Sequence, residues 1–197
     1  KEKAKNFKPL CQLAATIAHI RKYSEEWFTE QYKIAVAGFS AGGHLAAHYS
    51  NTYNCGVVRE VFPDSKKPNF SILCYPVISA DETFTHKGSF QNLLGTYPTG
   101  DDIEKYSCDK LVSADTPPTF IWHTTEDQVV PVKNSLVYAT ALADNKIPFS
   151  LRIYPYGVHG LSTVDHLTLD EDRLDDKTVL ANDWFADLKK WMDKEIL

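Results

Sequence analysis

A serine in a glycine-framed turn is the residue of this chain best suited to nucleophilic chemistry. Gly38-Phe39-Ser40-Ala41-Gly42 follows an apolar, strand-like run and precedes a small-residue, helix-like run. Such a turn holds the serine in a strained conformation with its hydroxyl clear of the backbone, so we expect side chains at Gly38 or Gly42 to crowd the neighbouring strand and helix. A Gly-rich strand-to-helix turn also occurs in α/β proteins without this chemistry, so the prediction for Ser40 depends on its partners.

Two residues later in the chain provide the partners that a serine nucleophile needs. A serine hydroxyl requires an imidazole to take its proton, and the imidazole requires a carboxylate to orient it. Asp127 follows a strand-like run and begins an Asp-x-x-Val-Pro segment, and His159 lies in the Gly-rich turn after the next strand-like run. The order Ser40, Asp127, His159 therefore predicts a nucleophile, an acid and a base.

Other residues could fill these roles. Glu126 is the alternative acid, although Asp127 is favoured because it begins the segment that re-enters a helix. Among the histidines, His166 is predicted at the surface. His123 lies inside a predicted strand, and we expect its ring to be hydrogen-bonded, either in the core or behind the site residues. His44 and His48 have the i, i+4 spacing of a metal-binding pair, but no third ligand is evident, so we expect them to pack and predict no metal.

Stabilising an oxyanion requires two N–H donors. The amide of Ala41, directly after the serine, is the predicted first donor. The second donor often comes from an earlier His-Gly-Gly-Gly loop, and the only Gly-Gly pair in this sequence is Gly42-Gly43. On this chain alone the predicted machinery is incomplete.

The pattern of apolar residues predicts an α/β fold with a mostly parallel sheet covered by helices on both faces. The predicted strands are 33–37, 70–75, 119–123 and 149–154. The predicted helices are 9–27, one directly after the serine turn, 131–145 and 182–195, with two short ones at 89–94 and 101–106. We expect one domain over residues 1–197, with 79–118 either an insertion that caps the site or a plain surface excursion. The three candidate residues each follow a strand, so they should meet at one sheet edge.

Composition excludes some partners. The net charge of −5 offers no basic face for nucleic acid, and no apolar run approaches the length of a membrane span. The four cysteines are widely spaced, so free, buried thiols and a cytoplasmic location are expected. The chain begins at Lys1 without an initiator methionine, from which we expect a processed or truncated chain.

Three segments resemble a known family when taken in order. GFSAGGHLAAH, TPPTFIWHTTEDQVVPVKNS and YGVHGLS resemble the acetyl-esterase, acetylxylan-esterase-like branch of the α/β-hydrolase superfamily. The resemblance implies Ser40 as nucleophile, Asp127 as acid and His159 as base. It also implies small-molecule substrates, namely short acyl esters such as acetylated sugars, and no cofactor.

The resemblance fails at the front of the chain. Family members have further strands and the His-Gly-Gly-Gly loop before the first helix predicted here, so on the order of 70–90 upstream residues are expected. Without them the strand before Ser40 should lie at an edge of the sheet with unpaired backbone groups. We expect a serine carboxylesterase. The alternatives are a catalytically silent hydrolase fold and a serine peptidase of the prolyl-oligopeptidase type.

Overall fold

Four short strands form one parallel sheet in the order β1-β2-β3-β4. The computed structural model describes residues 7–170 and 173–195. The strands are β1 (Ala35–Phe39), β2 (Phe70–Cys74), β3 (Thr119–Thr124) and β4 (Phe149–Tyr154). Gly38 is paired with Leu73, Cys74 with Trp122, and Thr124 with Tyr154, so the carboxyl ends of the strands lie at one edge. The predicted α/β class is confirmed.

Burial distinguishes the central strands from the outer ones. Every residue of β2 and β3 is buried, as their unbroken apolar runs predict for strands covered on both faces. Residues of β1 alternate between buried and more exposed, and those of β4 are only partly buried. In the part of the chain that the structure describes, β1 pairs with β2 alone, which confirms the expected edge position of the strand before Ser40.

Helices cover both faces of this sheet. The helices are α1 (Lys8–Lys22), α2 (Ala41–Thr52), α3 (Gly56–Val61), α4 (Lys87–Leu94), α5 (Gly100–Tyr106), α6 (Lys133–Asp144) and α7 (Asp183–Glu195), with a 3-10 turn at Thr178–Asn182 before α7. On one face, Trp184 and Leu188 of α7 join the cluster around Trp122. On the other face, Ala47 of α2 and Leu142 of α6 join a separate cluster. None of the helices among the described residues is long and apolar enough to cross a membrane.

Some element bounds differ from the predicted ones. Helix α1 ends at Lys22 rather than near residue 27, although the aromatic rings of Tyr23 and Trp27 continue the spacing and contact His19. The short helix α3 was not predicted, because its six residues are too few to show a helical period; Val58 is its buried residue. All four cysteines are free as predicted, but only Cys74 and Cys108 are buried, while Cys11 and Cys55 are half-buried.

The segment 79–118 contains both predicted short helices. Thr99 and Asp102 form a reciprocal capping box at the start of α5, which explains why this helix forms in a polar stretch. Phe90 of α4 packs against Val77 and Val130, which follow the ends of β2 and β3. The two helices therefore lie against the carboxyl ends of the strands, where the candidate site residues are found.

Candidate active site

Ser40 occupies a strained turn between β1 and α2. Its φ of 55° is unusual for a residue with a side chain and presents the hydroxyl at the apex of the turn. The Ser40 N–H donates to the Cys74 carbonyl (3.0 Å), and the Ser40 carbonyl accepts from the Val77 N–H (3.1 Å). These bonds attach the turn to the end of β2 and hold the strain in place.

Close contacts require glycine at two positions near this turn. Only one of these two positions is among those that the sequence pattern indicates. A Cβ at Gly38 would overlap the Gly42 carbonyl, as predicted. A Cβ at Gly42 would meet nothing within 4 Å, so the prediction for that residue is wrong. The crowded position is Gly43, where a Cβ would lie 2.7 Å from the Pro76 Cβ. The second glycine is required because α2 passes close to the chain beyond β2, a contact between distant segments.

His159 reaches Ser40 from the loop after β4. The distance between Ser40 Oγ and His159 Nε2 is 2.8 Å, a hydrogen bond. Gly157 has a φ of 122°, and a Cβ there would lie 2.6 Å from Leu161, so only glycine fits this bend. The loop is held because Thr124 Oγ1 donates to the Gly157 carbonyl (2.7 Å) and an Arg173 N–H donates to the His159 carbonyl (2.8 Å).

Asp127 lies behind the histidine. Its Oδ2 is 2.6 Å from His159 Nδ1, and its Oδ1 accepts from the backbone N–H groups of Val129 (3.0 Å) and Val130 (2.8 Å). Burial alone would raise the pKa of this carboxyl, but hydrogen bonds from His123, His159 and Val130 outweigh it and lower the pKa well below the usual value. An ionised Asp127 accepts a hydrogen bond from the Nδ1–H of His159, which leaves Nε2 unprotonated and able to accept from the serine hydroxyl.

The competing residues have other surroundings. Glu126 Oε2 accepts from the Gly157 N–H (3.1 Å), so it connects the loop after β3 to the loop after β4. The carboxylate that bonds to the His159 imidazole is that of Asp127. His166 is exposed, and His123 is fully buried with both ring nitrogens bonded, as predicted. Among residues 7–170 and 173–195, no group of three His, Cys, Asp or Glu side chains could hold a metal.

Ala41 lines an apolar cavity. Ala41 is the first residue of α2, so its N–H belongs to the first turn, whose donors have no partner within the helix. The cavity has a volume of about 250 Å³, and its walls include Ala41, His44, His48, Phe90 and Tyr106. Burial lowers the pKa of His44 to about 4 and that of His48 to about 3, so both rings are neutral at pH 7.

The sequence did not indicate the residues that contact and support Ser40, Asp127 and His159. Tyr75 is the last residue of the predicted strand 70–75, but β2 ends at Cys74 and the φ of Tyr75 is 38°. Its ring centroid lies 5.1 Å from that of His159. The Tyr75 hydroxyl accepts from the Ser162 N–H (3.0 Å), and burial raises its pKa to about 12. Neither this residue nor Arg173 lies in a motif, so no local signal could have identified them.

The fold and the site together define an α/β-hydrolase: a parallel sheet with a serine at a sharp strand-to-helix turn, and with the candidate acid and base in the loops after β3 and β4. The BD-FAE family model matches residues 9–142, and the chain belongs to that family.

Two curated relatives share 38% identity with the chain. Endo-1,4-beta-xylanase B of Butyrivibrio fibrisolvens matches over 165 residues, 80% of this chain and 25% of that protein. Acetylxylan esterase of Xylanibacter ruminicola matches over 145 residues, 72% of this chain and 28% of that protein. The chain thus spans about a quarter of the length of the curated relatives it matches.

Solved structures show the same fold. The acetyl ester-xyloside bifunctional hydrolase of Caldicellulosiruptor lactoaceticus has a TM-score of 0.73 and 39% identity, over 94% of this chain and 67% of that one. A carboxylesterase of Lactobacillus plantarum has a TM-score of 0.79 and 28% identity, with the same coverage of each chain.

Proposed function

We propose that this chain is the catalytic part of a serine carboxylesterase that hydrolyses short acyl esters, in particular acetyl esters of sugars. The observation that carries the proposal is a pair of hydrogen bonds that join the three side chains. Ser40 Oγ is 2.8 Å from His159 Nε2, and His159 Nδ1 is 2.6 Å from Asp127 Oδ2. These distances are those of a nucleophile hydrogen-bonded to its base and of a base hydrogen-bonded to its orienting acid.

The geometry supports a two-step mechanism. Ser40 Oγ attacks the ester carbonyl while His159 Nε2 takes the hydroxyl proton, and Asp127 stabilises the imidazolium that forms. The Ala41 N–H donates to the oxygen that becomes negative. The C–O bond to the alcohol breaks as His159 returns the proton to the departing oxygen. Water then attacks the acyl-serine by the same steps, which releases the acid and restores Ser40.

The substrate class rests on the relatives. One curated relative is named an acetylxylan esterase, and one similar structure is an acetyl ester-xyloside bifunctional hydrolase. The first name specifies acetylxylan, and the second specifies hydrolysis of acetyl esters and of xylosides. We therefore propose acetylated xylo-oligosaccharides as the substrates to test first.

Covalent labelling tests the nucleophile directly. A fluorophosphonate probe applied to the intact natural protein should label Ser40, and the label should disappear in Ser40→Ala. Ser113→Ala is a matched control, because Ser113 is exposed and lies outside the site. Equal labelling of the Ser40→Ala protein would refute the mechanism, and no labelling of the unaltered protein would support the catalytically silent alternative.

A substrate panel tests the reaction class. We expect hydrolysis of p-nitrophenyl acetate faster than of the butyryl and octanoyl esters, and release of acetate from acetylated xylo-oligosaccharides. Cleavage of prolyl amides in place of the esters would identify a peptidase of the prolyl-oligopeptidase type instead.

A further inference from the structure

A fully buried histidine, His123, lies next to the Asp127 carboxylate. His123 is on β3, its side chain is fully buried, and no step of the mechanism uses it. Its Nε2 is 2.8 Å from the Val130 carbonyl, and its Nδ1 is 2.7 Å from Ser135 Oγ on α6. Because a carbonyl oxygen can only accept, Nε2 carries a proton. In the neutral ring, Nδ1 then accepts from the Ser135 hydroxyl.

The same Nε2–H also faces the catalytic carboxylate. It lies 3.3 Å from Asp127 Oδ2, the oxygen that accepts from His159 Nδ1 at 2.6 Å. Oδ1 is bound by the amides of Val129 and Val130. Two backbone donors thus hold one carboxylate oxygen, and two imidazole donors face the other.

Val130 links these contacts into a closed arrangement. Its N–H donates to Asp127 Oδ1, while its carbonyl accepts from His123 Nε2. The ring of His123 therefore holds both the carboxylate and the turn that binds the carboxylate. Ser135, which is also fully buried, contacts the other ring nitrogen through its hydroxyl and so helps to hold the ring in this orientation.

We propose that His123 is a positioning residue, which orients the Asp127 carboxylate toward His159 through its Nε2–H and the Val130 carbonyl. This inference rests on the proposed esterase function. Asp127 matters most when His159 becomes charged in the transition state, so a poorly oriented carboxylate lowers kcat and leaves ground-state binding of the ester unchanged.

Two substitutions at one position test the proposal in the intact natural protein. His123→Leu removes the donor, and we expect kcat for p-nitrophenyl acetate to fall roughly 10- to 100-fold, with KM within about twofold. His123→Gln can place an amide N–H near the Nε2 position, so we expect it to recover most of the lost kcat. Leu142→Ala is the control, because Leu142 is a fully buried core residue of α6 that should lower the melting temperature but not kcat.

The outcomes separate this proposal from the function on which it rests. If His123→Leu keeps the unaltered kcat, or if Gln restores no more than Leu, His123 does not position the acid. If His123→Leu does not fold, Ser135→Ala decides: a several-fold lower kcat at unchanged KM supports the proposal, and an unchanged kcat overturns it. Full activity of Ser40→Ala would instead overturn the esterase function itself.

Discussion

Two pairs of histidines can be compared, and they differ in whether a carboxylate faces them. His123 and His159 both face Asp127, at 3.3 and 2.6 Å. His44 and His48 lie on α2, which begins directly after Ser40, and their rings are 5.5 Å apart. Within the described residues, the Nε2 atoms of this second pair are buried without a hydrogen-bond partner.

The difference shows that burial near a nucleophile does not make a base. Burial lowers the pKa values of His44 and His48 to about 4 and about 3, so these rings stay neutral at pH 7. In the described part of the chain, no carboxylate is among the groups that raise their pKa values. Asp127 stabilises the charged form of His159 and determines which nitrogen faces Ser40. The carboxylate therefore distinguishes His123 and His159, which both face it, from His44 and His48, which we call the packing pair.

Removal of the base should have the largest effect. We expect His159→Ala to lower kcat for p-nitrophenyl acetate by up to a million-fold, since the triad acts as a unit. His48→Leu should stay within a few-fold of the unaltered protein, because that ring contacts neither Ser40 nor Asp127. Comparable losses in the two variants would break the distinction between the pairs.

Neutralising the carboxylate should have the next largest effect. Asp127→Asn keeps the shape but loses the charge and allows the wrong imidazole tautomer, so we expect kcat to fall about ten thousand-fold. Glu126→Gln keeps an oxygen that can accept from the Gly157 N–H, and we expect less than about a tenfold loss. Steady-state kinetics on one ester measures both, and a larger loss at Glu126 would identify it as the acid.

The packing pair should instead control stability at acid pH. In the unfolded chain both histidines titrate near pH 6.5, but in the folded chain only near pH 4 and pH 3. Below pH 6.5 the unfolded state therefore binds more protons, and the free energy of unfolding falls as the pH drops, by up to about 1.4 kcal/mol per pH unit for each histidine. Urea unfolding between pH 7 and 4.5 measures this slope. It should be shallower in the double variant His44→Leu, His48→Leu, and an unchanged slope would contradict the assignment.

The smallest effect concerns the glycines of α2, the helix that begins after Ser40 and carries His44 and His48. Gly43→Ala would place a Cβ 2.7 Å from the Pro76 Cβ, and we expect a loss of about 1–3 kcal/mol in the free energy of unfolding. Gly42→Ala has open space and a helical position, so it should be neutral or stabilising by up to about 1 kcal/mol. Urea midpoints of the two variants compare them, and equal midpoints would mean that Pro76 moves away freely.

Local sequence determined much of this protein. Continuous apolar runs predicted the buried strands β2 and β3, because a strand covered on both faces needs apolar residues throughout. The glycine-framed turn and the strand-end positions of Asp127 and His159 predicted the three residues that the structure brings together. These predictions succeed because they depend on backbone conformation and on periodicity, which adjacent residues specify.

Tertiary structure alone decided the rest. The crowding at Gly43 comes from Pro76, and His123 is hydrogen-bonded to Ser135. Thr124 and Arg173 hold the loop that carries His159. These contacts join residues on different segments of the chain, and no local motif marks them. They become visible only when the segments are packed around the carboxyl ends of the strands. The same reason explains why four similar histidines in the sequence became two different pairs: their chemistry depends on which one a carboxylate faces.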